Sequence, residues 1–340
     1  VLLHTLEYTG RLISVAFSPG GATLASGSLD GTVRLWRVDE CANLPERCGA
    51  PVRTLEGHPA SVYSVAFSPD RALLASGTTD GTVWLWQVSN GALQRTLRGH
   101  LGAVISVAFS PDGKALSSGS VDGTVRLWQV ADGTPLRTLE VYPTTSSMAF
   151  SPDRATLALG GGWMGHGASS PVLLYRVVDG MLLRTLEGHI AGVRSVAFSP
   201  DGATLASAGG SEVRLWQVSD GALLRTLKGA TRGSMAFSPD GTILASGSED
   251  GTVQLWQVSD GVLLQTLQGA MGSVAFSPDG TMLASGSEDN AVQLWRVSDG
   301  ALLRTLNGHT SNVTSLAFSS DGATLGSGSL DSTVRLWGVP

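Results

Sequence analysis

Phe109-Ser110-Pro111-Asp112-Gly113 opens a stretch that ends on Asp122-Gly123-Thr124-Val125-Arg126-Leu127-Trp128. In Ser110 to Gly113, Pro fixes φ for the first corner of a turn, and Asp and Gly suit the rest of it. Asp122-Gly123 is a second tight-turn signal. The segments between the turns are short and rich in Val, Leu, Ala, Thr and Trp, the composition of strands. In a run such as Thr32-Val33-Arg34-Leu35-Trp36, both alternating faces carry large side chains. A strand buried between two stacked sheets has that pattern, whereas a half-solvated strand alternates apolar with polar.

The same phrase recurs at Phe17, Phe67, Phe109, Phe150, Phe198, Phe237, Phe276 and Phe318. An aromatic follows each one: Trp36, Trp86, Trp128, Tyr175, Trp216, Trp256, Trp295 and Trp337. The spacing is 19 in six of the eight units, 18 in the fifth and 25 in the fourth. A third turn, Ser-Asp-Gly, recurs as in Ser219 to Gly221 and Ser259 to Gly261. Each unit therefore reads as four strands, a to d, joined by hairpins. Four-stranded sheets repeating every 40 to 45 residues or so indicate an all-β propeller. Outer strands d are expected at Leu2 to Leu6, Val52 to Leu55, Leu93 to Leu97, Leu136 to Leu139, Leu182 to Leu186, Leu223 to Leu227, Leu263 to Leu267 and Leu302 to Leu306. Eight d strands match eight a-b-c triplets, so residues 1–340 are expected to form one eight-bladed propeller. Leu2 to Leu6 should complete the blade begun at Val313 and close the ring. Seven blades with one displaced repeat is the alternative.

Hydrophobic residues make up 42% of the chain and charged residues 15%, enough for a sizeable core. A net charge of −6 argues against a surface that tracks nucleic-acid phosphates. No apolar run approaches the length of a membrane-spanning helix. Two cysteines, Cys41 and Cys48, make no disulfide framework and lack the companions of a zinc site, so no metal and no cofactor are expected. They are compatible with a reducing compartment, and a cytoplasmic monomer is the expectation. Val1 is not an initiator Met, and no signal-like segment follows it, so the chain is expected to be a domain cut from a longer one or a processed product.

The Gly-His pairs at 57-58, 99-100, 188-189 and 308-309, the Asp-Gly turns and the strand-c Trp recur in register. On these residues the chain resembles the WD-repeat (Trp-Asp repeat) propeller family, and bacterial members with near-identical repeats in particular. One departure is consistent: Arg37, Gln87, Gln129, Arg176, Gln217, Gln257, Arg296 or Gly338 follows the aromatic, never Asp. The resemblance implies hydrogen-bonded tetrads of His, strand-b Ser, turn Asp and Trp. They would be His58-Ser76-Asp80-Trp86, His100-Ser118-Asp122-Trp128 and His309-Ser327-Asp331-Trp337. Blade 5 keeps His189, Ser207 and Trp216 but has no Asp in its shortened turn. Three repeated copies of Ser, His and Asp point to scaffolding, since a hydrolase needs one exposed nucleophile with an oxyanion hole.

Function is expected where the repeats break their own rule. The blade 4 b–c connection is six residues longer than usual and carries Trp163 and Met164 among glycines, as a partner anchor would. Its G-x-G-x-x-G match lacks the helix of a dinucleotide site, because Pro171 and a strand follow. The d–a connections into blades 6 and 7 are shortened, and the turns there carry Glu249-Asp250 and Glu288-Asp289. A recessed acidic notch would favour a basic segment. An insertion near Cys41 to Ala50 should lie on the opposite face. Arg53, Arg95, Arg137, Arg184, Arg225 and Arg304 form a belt on strands d, read as surface pairs with Glu56, Glu140 or Glu187.

The resemblance implies that b–c and d–a loops share one face, the top. It also places binding residues just before the strand-a Ser and just before the turn Asp. Here those are Ile13, Tyr63, Ile105, Arg194 and Thr314, with Leu29, Thr79, Val121, Glu249, Glu288 and Leu330. On blades 8, 1, 2 and 3 the set is mainly apolar and suggests an interaction patch. The expected function is a non-catalytic scaffold binding a protein or peptide, with an apolar anchor and a basic segment, across the top face. A sensor or regulatory domain of a larger bacterial kinase or NTPase is the second reading. An enzyme is the third, and strands a offer mainly Ser, Val, Ala and Met for it.

Overall fold

Strands this short cannot bury two apolar faces alone, and the chain solves this by radial stacking. The structure, a computed structural model, describes residues 1–7, 10–38, 51–140, 145–161, 170–229, 234–248, 250–287 and 289–339. They form eight four-stranded antiparallel sheets in a ring. Blade 1 comprises Leu12–Phe17, Thr23–Ser28, Val33–Arg37 and Pro51–Leu55, as strands a, b, c and d. Blades 2 to 7 repeat this order from Val62, Val104, Thr145, Val193, Met235 and Ala270. Blade 8 takes Val313–Phe318, Thr324–Ser329 and Thr333–Gly338 from the end of the chain and Leu2–Glu7 from its beginning.

The core lies between blades rather than within them. Each of eight apolar clusters joins strands c and d of one blade, in six cases with strand b, to strands a, b and c of the next. Between blades 2 and 3, Ala75, Val83, Leu85 and Leu97 meet Val104, Val107, Leu116 and Trp128. At the seam, Leu6, Val334 and Leu336 of blade 8 meet Leu12, Val15, Leu24 and Trp36 of blade 1. Strand c thus presents Val and Leu to one neighbour and Trp to the other, which is why its sequence has no polar face.

The outer strands leave eight open edges, which invite further strand pairing. Every c–d ladder slips by one residue beside the aromatic, placing an unpaired residue such as Leu136, Leu224 or Leu303 on strand d. Such bulges twist and blunt an edge. The arginine belt acts in a different way from the surface ion pairs expected of it. Arg53, Arg95, Arg137, Arg184 and Arg225 donate to the c–d turn of the following blade, at Ser89 O, Ala131 O, Asp179 O, Ser219 O and Ser259 O. Each is a clasp between neighbouring blades.

Leu6 is 2% exposed while Leu2, on the same strand, is 42% exposed. Leu6→Ala should therefore cost about 2–5 kcal/mol as a buried truncation. Leu2→Ala should stay within about 0.5 kcal/mol. Urea denaturation of the two variants checks this; equal losses would contradict closure through Leu6.

Candidate functional site

The first strands line the ring axis, and their upper ends carry a regular irregularity. In seven blades the a–b ladder shifts register there. In blades 1, 2, 3, 5 and 8 the residue without a ladder partner is Ile13, Tyr63, Ile105, Arg194 or Thr314. A bulge re-aims its side chain out of the ladder. The bulge also frees an amide beyond it, and a serine of the preceding blade accepts it. Val65 N donates to Ser14 Oγ, Val107 N to Ser64 Oγ and Val196 N to Ser147 Oγ. The frame around the axis is thus stitched blade to blade, while the bulged residues vary.

The b–c turns stand beside this rim. Leu29 N, Thr79 N, Val121 N and Leu330 N donate to Arg11 O, Ser61 O, Ala103 O and Asn312 O of the d–a connections. Both kinds of loop therefore occupy one end of the ring. Of the apolar set, Val121 is 47% exposed, whereas Ile13, Leu29, Tyr63, Ile105 and Leu330 are half-buried, as is Thr79. The patch is a shallow apolar shelf rather than a row of protruding side chains. Thr314 Oγ1 donates to Gly328 O and to Leu12 O across the seam, and Arg194 is exposed. Two residues that protrude strongly were not foreseen: Leu101, 96% exposed beside Val121, and Ile190, 81% exposed on blade 5. Their signal was present in the sequence, since each directly follows a Gly-His pair. Trp163, Met164, Glu249, Glu288, Cys41 and Cys48 lie outside the described residues.

Beneath this end run the histidine relays. In blade 3, Trp128 Nε1 donates to Ser118 Oγ at 2.8 Å, and His100 Nε2 meets the same hydroxyl at 2.7 Å. The Trp N–H can only donate, so the serine proton is directed to Nε2, and Nδ1 keeps its hydrogen for Asp122 Oδ2 at 3.0 Å. Asp122 also accepts from Leu101 N at 2.9 Å and thereby holds the loop that carries Leu101. Blade 8 repeats the relay through Trp337, Ser327, His309, Asp331 and Thr310 N.

Blade 2 departs from the expected tetrad. His58, Ser76 and Trp86 are joined, but His58 Nδ1 donates to Gly31 O of blade 1 at 3.0 Å, and Asp80 is held instead by Thr78 and Thr82. The difference comes from Trp84, where blades 3, 5 and 8 have Arg126, Arg214 and Arg335. Its ring stacks on Trp86 at 5.7 Å, and His58 packs against both. In blade 5, Glu212 stands 3.7 Å from His189 Nδ1 and bonds Arg214 Nε, a carboxylate from the start of strand c that sequence reading missed. Blade 4 drops the relay as a set: Leu159 and Tyr175 replace the Ser and Trp, and both are buried. Leu159 has no hydroxyl to satisfy and Tyr175 OH donates to Glu140 O at 3.4 Å, so no polar atom is left stranded.

Burial holds His58 at about 4, against the opposing hydrogen bond to Gly31 and the charge of Asp80. Burial and the Arg214 charge hold His189 at about 4. Burial also lowers His100 and His309, outweighing Asp122 and Asp331. For Asp122 burial acts upward, but hydrogen bonds from Thr124 and Leu101 prevail and hold it at about 2. These groups are neutral imidazoles in a structural frame. Among the described residues, no three His, Cys, Asp or Glu side chains are grouped as metal ligands would be.

The family model WD40, described as "WD domain, G-beta repeat", matches residues 1–37, 49–87, 91–129, 180–217, 221–257, 261–296 and 300–338. The chain belongs to the WD40 family. The longest unmatched stretch, residues 130–179, holds most of blade 4, the WD40 blade here with neither the strand-b Ser nor the strand-c Trp. Among solved structures, this WD40 chain is similar to the computationally designed Ika8 protein, with 28% identity over 99% of each chain and a TM-score of 0.84. No curated protein matches the sequence.

Two outcomes test the relays. Asp122→Ala should cost about 1–3 kcal/mol by stranding the buried His100 Nδ1–H. Asp80→Ala and Asp250→Ala should cost less, because neither carboxylate meets a histidine. Secondly, the four imidazoles bind protons more weakly folded than unfolded. Stability should be flat above the ordinary histidine value of 6.5 and fall as pH drops from there toward 4. Urea midpoints measured from pH 8 to pH 4 check the sign.

Proposed function

We propose that the protein is a non-catalytic scaffold that binds a protein or peptide across the end of the ring carrying the b–c and d–a loops. WD40 propellers generally serve as protein-interaction scaffolds. The observation that carries the reading is the uneven rim. On consecutive blades 8, 1, 2 and 3 it offers Leu330, Ile13, Leu29, Tyr63, Ile105 and Val121, and Leu101 stands fully exposed beside Val121. The frame does not ask for these side chains, because the same bulge position carries Arg194 in blade 5 and Thr314 in blade 8. An apolar anchor of the ligand would seat on the shelf and be flanked by Leu101. A basic segment would extend toward the acidic turns at Glu249 and Glu288.

Selection from a displayed peptide library supplies a ligand for the test. Tyr63→Ala with Leu29→Ser, and Leu101→Ser with Val121→Ser, should each weaken its binding at least about tenfold, the equivalent of 1.4 kcal/mol. Thermal stability should change little for the second pair, which is exposed. Full affinity in both double variants would contradict the anchor. Glu249→Lys with Glu288→Lys should slow association, and less so at high salt, where the screening length falls below the roughly 8 Å of physiological strength. Association rates that ignore both salt and charge reversal would remove the acidic turns from the mechanism.

A further inference from the structure

We infer that Asn307 is a site of spontaneous deamidation, and that its isoaspartyl product loosens the histidine relay of blade 8. The chain holds two Asn-Gly pairs, Asn90-Gly91 and Asn307-Gly308. Such pairs favour ring closure to a succinimide, because glycine puts no side chain in the way of its own amide. Both asparagines are exposed, and the fold treats them in opposite ways.

Asn90 stands in the c–d turn of blade 2, where blades 3 to 7 carry Asp132, Asp179, Asp220, Asp260 and Asp299. Its Oδ1 accepts from Ala92 N at 2.9 Å, and Gly91 N donates to Gln87 O at 2.8 Å. Arg53 clasps the same turn at Ser89 O. The electrophile and the nucleophile are thus each tied to another partner. Asn307 lies just past strand d of blade 7, in the connection to blade 8. Among the described residues, neither its side chain nor Gly308 N makes a hydrogen bond. The Arg335 guanidinium lies over Gly308, where a Cβ would stand 2.6 Å from Nη1. A cation so placed favours loss of the amide proton.

The step needs only water. Gly308 N gives its proton to solvent and attacks Asn307 Cγ. The Cγ–Nδ2 bond breaks, and Nδ2 takes a proton and leaves as ammonia. Water then opens the ring. Cleavage between Cγ and the nitrogen restores the ordinary main chain as aspartate. Cleavage between the main-chain carbonyl carbon and the nitrogen leaves isoaspartate, with Cβ and Cγ in the main chain.

The two products should differ in effect. An acid suits the place, since Glu56 and Glu187 precede Gly57-His58 and Gly188-His189 in the same way. Isoaspartate adds a main-chain atom to a short span fixed at both ends. Leu306 is buried in the core between blades 7 and 8. Beyond it, Asp331 Oδ2 holds His309 Nδ1 at 2.8 Å and Thr310 N at 2.9 Å. The extra atom is absorbed between these anchors at the expense of the two bonds to Asp331. None of this depends on what the rim binds.

The whole chain is aged in mildly alkaline heavy-oxygen water, folded in one arm and in urea in the other, then digested and read by electron-transfer mass spectrometry. In the folded chain Asn307 should convert at least about tenfold faster than Asn90, the order of slowing that one or two ordinary hydrogen bonds impose. In urea the two should convert at similar rates. A folded Asn307 that does not convert, equal folded rates, a faster Asn90, or the same ratio in urea overturns the site. The relay is read by amide exchange over residues 309–312. In the aged native chain that exchange should quicken in step with the isoaspartate fraction. Fresh Asn307→Asp should match the fresh native chain, and aged Asn307→Gln should stay unchanged, because its longer side chain closes a ring far more slowly. Exchange that stays flat as isoaspartate accumulates, or that quickens as much in fresh Asn307→Asp, overturns the link to the relay.

Discussion

Each blade of this ring is apolar on both faces, so no blade is stable except between two others. Much of the rest follows from that constraint. Strand c must carry Val and Leu toward one neighbour and Trp toward the other. The Trp N–H, buried in the contact, must find an acceptor, and in all seven Trp blades that acceptor is a strand-b serine: Ser26, Ser76, Ser118, Ser207, Ser246, Ser285 or Ser327. The ring must also close, because an unclosed one would expose an apolar face at each end. The burial of Leu6 beside Leu12 and Trp36 is where the chain meets that demand.

The histidine relays extend the same logic from core to surface. A buried serine that accepts from Trp still has a proton to place, and in four blades a histidine takes it. Where the histidine then finds Asp122 or Asp331, the carboxylate also accepts a loop amide, so the relay fixes the height of the d–a loop. Where it finds Gly31 O instead, as His58 does, the bond runs to the neighbouring blade. The loops are thus anchored differently around the ring, although the blades beneath are nearly identical. An even frame carrying an uneven rim is a suitable construction for a binding surface.

The fold was almost wholly legible in the sequence. Repeated turn chemistry and a strand with two apolar faces suffice for a propeller, and counting outer strands against triplets gives its closure. For the candidate site the sequence offered positions, and the structure adds their character. The family resemblance singled out Ile13, Tyr63 and Ile105, but it could not show that a bulge re-aims them or that they stay half-buried. The Asp80 tetrad failed because one substitution at position 84 redirects His58, a packing effect with no signature in the motif. Glu212 was missed because its carboxylate comes from strand c rather than from the turn. The arginine belt was read as surface ion pairs, since the turn carbonyls it clasps belong to the next repeat.

Hydrogen exchange resolved by peptide tests the closure most directly. If the ring is closed by the N-terminal strand, amides of Leu2–Glu7 should be protected and should open together with those of Thr333–Gly338, their ladder partners. Exchange of Leu2–Glu7 at the rate of an unstructured segment, with Thr333–Gly338 still protected, would show that the ring does not close this way.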